Sequence, residues 1–541
     1  MNSKIGSAVL ALAAAAMTSA QAAAQQAIAP PYPQASPTSA PSPATADSTR
    51  PSLYRGEGLV VLDYQSIPVP QQPSLDLMGF HILNKVAEGL YVGIGAYAPL
   101  VKGEYGGFMA FDVGVHVQRR IRGPLFANAG LALGGGGGGK NTAQSIELSG
   151  TGGFTKAYAG LGIDFDGFSV GANAARVKFS RSAIDHTQLN LFVQMPFSYT
   201  VGSFANFGER LGAADTAAAF ADSSANTLTL GLDNFKQINP QGSNKSTVNL
   251  VDLQFAHYLS SAAYWYASLG VGYHGLPLYN HFIGGVGYRF DVAPRVSLHA
   301  QMGLGSGGYA PDKIDTGAGM LVYPKLSADY AITKDLGLAL TAGYLFAPNG
   351  SSKNYTVGAA LNYHLQSQRR GAGAGAVAGA GTGAAASAAR DGAVFRGYRL
   401  SLLQQTETSL SVRGLGRSNL NMLSAQLDIM VSDHVYIPLR AGVAYNAYLG
   451  YPGYGEMLVG VGLQNRYDRG DRFQFFGQLL GGTNVHGLIL KPGIGLNYTL
   501  SDRLALHASS GKTMATSSDN GNFRSTYLGL GLTYRFSVPS W

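Results

Sequence analysis

From Leu53 onward, apolar side chains recur at every second position, and the positions between them hold mostly glycine or small polar residues. The stretch "STYLGLGLTYRF" places Leu528, Leu530, Leu532, Tyr534 and Phe536 on one face. Gly529, Gly531, Thr533 and Arg535 fall on the other. "PGIGLNYTL" repeats the scheme, with Ile494, Leu496, Tyr498 and Leu500 opposite Gly493, Gly495, Asn497 and Thr499. A period of two belongs to extended strands, whose successive side chains leave opposite faces. Helical periodicity is almost absent.

Charge decides what those faces meet. A soluble sheet would carry Lys, Glu and Asp on its non-core face. Here only 13% of residues are charged, while Gly supplies 74 of 541. No apolar run after the N-terminal segment approaches the roughly 20 residues that a membrane helix needs. Mean hydropathy is only +0.05, as expected where lipid-facing and lumen-facing residues alternate. The expected fold class is therefore all-β: one or more transmembrane antiparallel β-barrels. Inward glycines would relieve crowding and leave room for Tyr or Arg from neighbouring strands.

The pattern recurs at long range. "YGGFMAFDVGVHV", "YNHFIGGVGYRF" and "YGEMLVGVGLQNRY" begin at Tyr105, Tyr279 and Tyr454. "PKLSADYAITKDLGLALTAGYLF" likewise matches "PGIGLNYTLSDRLALHASSGKTM". Self-similarity of this kind indicates repeated units, and each holds about eight strand-like runs. The expected organisation is a signal peptide at 1–24, a Pro/Ser/Ala-rich disordered spacer at 25–52 and barrel repeats at 53–202, 226–366 and 394–541. Linkers occupy 203–225 and 367–393. The first linker has room for a short helix, and the second is Gly/Ala-rich and of the flexible kind. Linkers of this length favour three tandem small barrels, with one ring of about 24 strands as the alternative. An even strand count returns each unit to the side on which it began, so termini and linkers are expected on the periplasmic side.

The leader "MNSKIGSAVLALAAAAMTSAQAAAQQ" has one Lys, a short apolar run and small-x-small cleavage sites, the pattern of an export signal. The chain has no Cys, which excludes disulfides, thiolate metal sites and a lipidated N-terminal Cys. The basic clusters "QRRIRG" and "SQRR" lack the interleaved aromatics of a nucleic-acid groove. They read as loop charges, or as contacts for anionic headgroups.

Candidate chemistry is sparse. Gly134, Gly139 and Lys140 satisfy a phosphate-loop spacing, but Asn141 stands where a Ser or Thr would be needed and no helix follows. That stretch reads as a strand end or loop. The eleven His residues show no ligand spacing; His274, His281 and His486 lie near strand ends. Ser297 with His299, and His507 with Ser509, share strand faces as a hydrolase pair would, yet neither pair recurs in all units. Aromatic-rich strand ends read as interfacial girdles. No catalytic, cofactor-binding or metal site is expected, nor any cofactor.

Leader, Pro-rich spacer, alternating Gly-aromatic strands and the last strand "YLGLGLTYRF" together resemble bacterial outer-membrane proteins, especially the small OmpA-like or opacity-type eight-stranded barrels. The resemblance implies residence among outer-membrane lipid and lipopolysaccharide. It also implies reading of Leu528, Leu530, Leu532, Tyr534 and Phe536 by the barrel-assembly machinery. The tail "SVPSW" departs from that pattern, because the aromatic signature ordinarily ends the chain. The expected function is a non-enzymatic structural, anchoring or export-accessory module with surface loops and a possible surface or export partner, with no nucleic-acid partner. A porin-like transport channel is the alternative, and an outer-membrane lipid hydrolase the third reading.

Overall fold

The computed structural model describes residues 53–139, 146–165, 167–211, 226–238, 240, 247–276, 279–308, 314–333, 336–364, 394–412, 418–448, 450, 452–466, 472–485, 487–516 and 522–540. The leader, the spacer, Lys140, His486, Trp541 and most of both linkers lie outside them. The described residues form antiparallel β-barrels.

The first run of strands comprises β1 (Leu53–Val69), β2 (Gln72–Ala87), β3 (Leu90–Pro99), β4 (Met109–Arg122), β5 (Leu125–Gly137), β6 (Gly153–Asp164), β7 (Ser169–Phe179) and β8 (Asp185–Gly202). The second comprises β9 (Asn226–Gln237), β10 (Val248–Tyr258), β11 (Ala263–His274), β12 (Asn280–Ala293), β13 (Val296–Gly307), β14 (Met320–Ala331), β15 (Leu336–Phe346) and β16 (Lys353–His364). The third comprises β17 (Val394–Val412), β18 (Ser418–Met430), β19 (Val435–Ala444), β20 (Gly455–Gln464), β21 (Phe473–Asn484), β22 (Gly487–Thr499), β23 (Leu504–Ala515) and β24 (Phe523–Ser540).

Neighbours in sequence pair throughout each run, and the last strand then returns to the first. Asn190–Gly202 of β8 lies along Leu53–Gln65 of β1. Asn354–His364 of β16 lies along Thr227–Gln237 of β9, and β24 lies along β17 from Ser540↔Val394 to Phe523↔Val412. One further pair, Gly202↔Ser537, joins the first and third runs into a single hydrogen-bonded sheet.

One expectation needs correction. "SVPS" is no appendage: Ser537 to Ser540 continue β24 and pair with Gly397 to Val394. The described part of 203–225 is a 3₁₀ turn at Phe204–Asn206 with the segment after it to Leu211, and the remainder of that linker, where the sequence leaves room for a short helix, lies outside the described residues.

Most connections at the end where each run begins are tight, such as the turn at Gly89 (φ +67°), whose backbone favours glycine. At the other end most are longer, β1 to β2 and β21 to β22 being short exceptions. These are called the turn end and the loop end below.

Away from the contacts between runs, the outward faces are apolar and uncovered. Leu528 and Leu530 are 53% and 57% exposed, Leu340 66% and Ile494 71%. Thr533 and Arg535, of opposite parity to the leucines on β24, are each 1% exposed. Polar inside and apolar outside is the arrangement of a barrel whose solvent is lipid.

Candidate functional site: the barrel interiors and the seams between rings

The interiors are layered. At the loop end each ring holds an apolar plug. Tyr105 and Phe108 lie in the first, Tyr279 and Leu321 in the second, and Tyr454 and Leu480 in the third. Tyr105, Tyr279 and Tyr454 are thus all buried, each between the third and fourth strands of its run. Tyr105 donates its hydroxyl to the Pro73 carbonyl at 2.5 Å. In the loop before Tyr454, burial pushes the Tyr448 phenol up to about 12.

Below the plugs sits a charged layer that sequence reasoning missed. The sixth strand of every run carries a buried lysine, and the first strand carries its carboxylate. Lys156 of β6 bonds to Asp63 of β1. Lys325 of β14 lies 3.2 Å from Asp233 of β9, and Lys491 of β22 lies 2.8 Å from Glu407 of β17 and 2.7 Å from Glu456. Each ammonium also faces a tyrosine ring, at 4.9 Å (Tyr97), 5.5 Å (Tyr323) and 5.5 Å (Tyr527). The inward face is therefore not merely glycine with a few polar groups. The signal lay in three lone lysines on inward-facing parity at the same place in each repeat.

Around these pairs the interiors differ. In the first ring His81 lies 3.5 Å from Asp63. A cavity of about 30 Å³, lined by Asp63, His81, Asp112, Asn128 and Lys156, has room for about two or three waters. In the second ring His281, fully buried, lies 3.8 Å from Asp252. The third interior is arginine-rich. Arg399 Nη2 lies 3.0 Å from Asp428, and Arg440 donates to Gln426 at 2.7 Å and Gln405 at 3.2 Å.

The sequence-stated candidates resolve as follows. Ser297 and His299 are brought to 3.3 Å, but inside the second ring, with Tyr264 on the other ring nitrogen at 3.2 Å. Ser297 is fully buried and does not face lipid. His507 instead turns to Asn497 at 3.0 Å. His274 meets Asn249 at 3.0 Å. Among the described residues, no group of three or more His, Asp or Glu is arranged to hold a metal ion.

The glycine run is a seat rather than a free loop. Gly134 to Gly137 belong to β5. A Cβ at Gly135 would collide with the Ala444 carbonyl of the third ring, and one at Gly137 would stand 2.9 Å from Gly453 N. The other rings meet at corresponding places. Gly106 N–H donates to Gly317 O at 3.3 Å, and Met320 N–H to Leu100 O at 3.1 Å. Thr483 Oγ1 donates to Gly272 O at 2.8 Å. The third strand of one ring thus approaches the fifth of the next: β3 meets β13, β11 meets β21, and β19 meets β5.

Towards the turn end the seams are aromatic. Phe80 of the first ring packs on Trp265 and Phe282 of the second, at centroid distances of 6.1 and 5.5 Å. Tyr363 and Tyr398 share a hydroxyl contact of 3.1 Å between the second and third rings. Tyr54 and Tyr534 do the same between the first and third, with the Arg503 guanidinium 3.8 Å over the Tyr54 ring.

No family model and no curated protein matches the chain. Among solved structures it is similar to a de novo designed transmembrane β-barrel (14% identity, 26% of this chain and 94% of that one, TM-score 0.19). It is similar to the outer membrane protein Ail of Yersinia pestis over 26% of this chain and 99% of that one (12% identity, TM-score 0.19). It is also similar to the ferric enterobactin receptor PfeA of Pseudomonas aeruginosa over 89% of this chain and 80% of that one (10% identity, TM-score 0.27). At such scores the likenesses add no argument to the barrel fold that the strand pairing already gives.

Proposed function

We propose that the chain is a non-enzymatic integral outer-membrane protein. In this reading three tandem eight-stranded barrels, repeats of one unit, form a single anchoring or export-accessory module that displays its loops on one face. The termini and linkers would lie on the periplasmic side, with the loops among lipopolysaccharide. Leu528, Leu530, Leu532, Tyr534 and Phe536 would be read by the barrel-assembly machinery. Support for three units comes from the pairing of the eighth strand with the first in each run and from the recurrent Lys–carboxylate pair.

The observation that carries the non-conducting reading is the filling of each interior at two levels. An apolar plug at the loop end overlies a layer of buried ion pairs. A transport pore needs a continuous wet path lined by groups that ions can leave as readily as enter. Purified protein in planar bilayers is expected to give no large stable conductance steps. Reproducible large steps would overturn this reading in favour of a porin-like channel.

A further inference from the structure

The chain leaving β8 does not pass directly to the second ring. Ser203 Oγ accepts the Ala205 N–H at 3.2 Å and caps the 3₁₀ turn, while the Ser203 carbonyl accepts from Ser537 Oγ at 2.7 Å. Gly208 N–H donates to Phe395 O at 2.9 Å, Phe395 N–H donates to Glu209 O at 3.0 Å, and Arg210 bridges Val394. Residues 203–211 are thereby laid along the start of β17, on the third ring.

Phe204, 1% exposed, packs on Met430, Tyr436 and Phe476, and the Arg535 guanidinium lies 5.6 Å from its ring. These partners come from four strands of the third ring (β18, β19, β21 and β24) at its turn end. Tyr436, Phe476 and Arg535 belong to its interior. The corresponding region of the first ring is filled by that ring's own Phe126 and Phe192. The third ring borrows its filling from a segment that belongs to another part of the chain.

Behind Phe204 the lumen is rich in donors. Arg399, Arg440, Lys491 and Arg535 are buried there against Asp428, Glu407 and Glu456, one cation more than the carboxylates. Arg440 Nη2, Gln474 Nε2, Gln478 Nε2 and Ser424 Oγ are buried without a hydrogen-bond partner. Unsatisfied donors beside a surplus guanidinium in a poorly solvated space favour an anion.

We propose that residues 203–211 are a removable stopper for the third ring, and that the lumen they close is a vestibule for a small anion. Phe204 is the stopper, and the bonds to Phe395 and Ser537 hold it. The segment is tied through the chain to β9 of the second ring, so a displacement of the rings relative to one another would withdraw it. This goes beyond the module reading, because it gives the third ring an entrance of its own. A large conductance in the unaltered protein would defeat that reading without touching this one.

The chain has no cysteine, so Gln478→Cys introduces a unique thiol behind the stopper. Its labelling by sulfonate- and ammonium-bearing methanethiosulfonates is read in folded, detergent-purified protein. With Phe204 in place labelling is expected to be slow. Phe204→Ala should accelerate the sulfonate reagent by about tenfold or more, with the sulfonate faster than the ammonium reagent, while Phe204→Trp should remain protected. Ser537→Ala, which removes the hydrogen bond to the Ser203 carbonyl, should give a smaller acceleration and serves where Phe204→Ala fails to fold. Equal labelling with and without the stopper, in both variants, overturns the stopper. A preference for the ammonium reagent overturns the anion vestibule.

Discussion

An ammonium group inside a membrane barrel is stable only while its counter-charge stays in reach, because removing one partner leaves the other desolvated and unpaired. Lys156, 3% exposed, has Asp63 as its bonded partner, with Asp63 5% exposed. Lys156→Ala is expected to cost about 3–5 kcal/mol in reversible unfolding from lipid vesicles, measured by urea titration. The double change Lys156→Met with Asp63→Leu should cost far less than the sum of the single changes. An additive result would mean that the two side chains do not act as a pair. These residues were on display in the sequence, yet alternation alone weighs a buried lysine no differently from a surface one. Only superposing the sixth strands of the repeats would have separated them. The spacing of Ser297 and His299 was legible in the same way, because a shared face brings the two together without saying that the face points inward.

Whole strands were more legible than their partners. Period-two alternation locates β24, and two of its outward leucines, Leu528 and Leu530, are exposed, because alternation reports the local contrast between lipid and lumen. It cannot report which distant backbone approaches, and so the glycine run at 134–139 read as a strand end or loop with nothing seated on it. In β5 the absence of a side chain at Gly135 is what lets the Ala444 carbonyl come close. Gly135→Val should leave the first ring closed, since β5 keeps its pairing with β4 and β6, while displacing the third-ring segment opposite. Hydrogen exchange read by mass spectrometry is expected to rise at 443–448 with little change in β4. Unchanged exchange at 443–448 would show that the close approach is not maintained in the membrane.

At the scale of the whole chain, two of the three seams join rings that are also consecutive in sequence, and the third joins the first ring to the last. That last seam carries Tyr54 with Tyr534, Arg503 over Tyr54, and the Gly202↔Ser537 pair. If the seams hold the rings together, the peptide connections are dispensable once assembly is complete. Cutting at a protease site placed between His364 and Val394 should leave both fragments co-purifying in mild detergent and running as one species on native gels. Separation of the fragments would mean that only the covalent thread keeps the rings side by side. None of this could be read in advance, because residues on outward faces look alike whether a lipid tail or another wall covers them.

The third-strand-to-fifth-strand contacts run from first ring to second, second to third, and third back to first. A head-to-tail association that returns to its origin uses up both of its complementary surfaces on every member. No unmatched half is then left over to recruit a fourth barrel, so copies of this protein crowded in a bilayer have no template along which to grow into arrays through that contact.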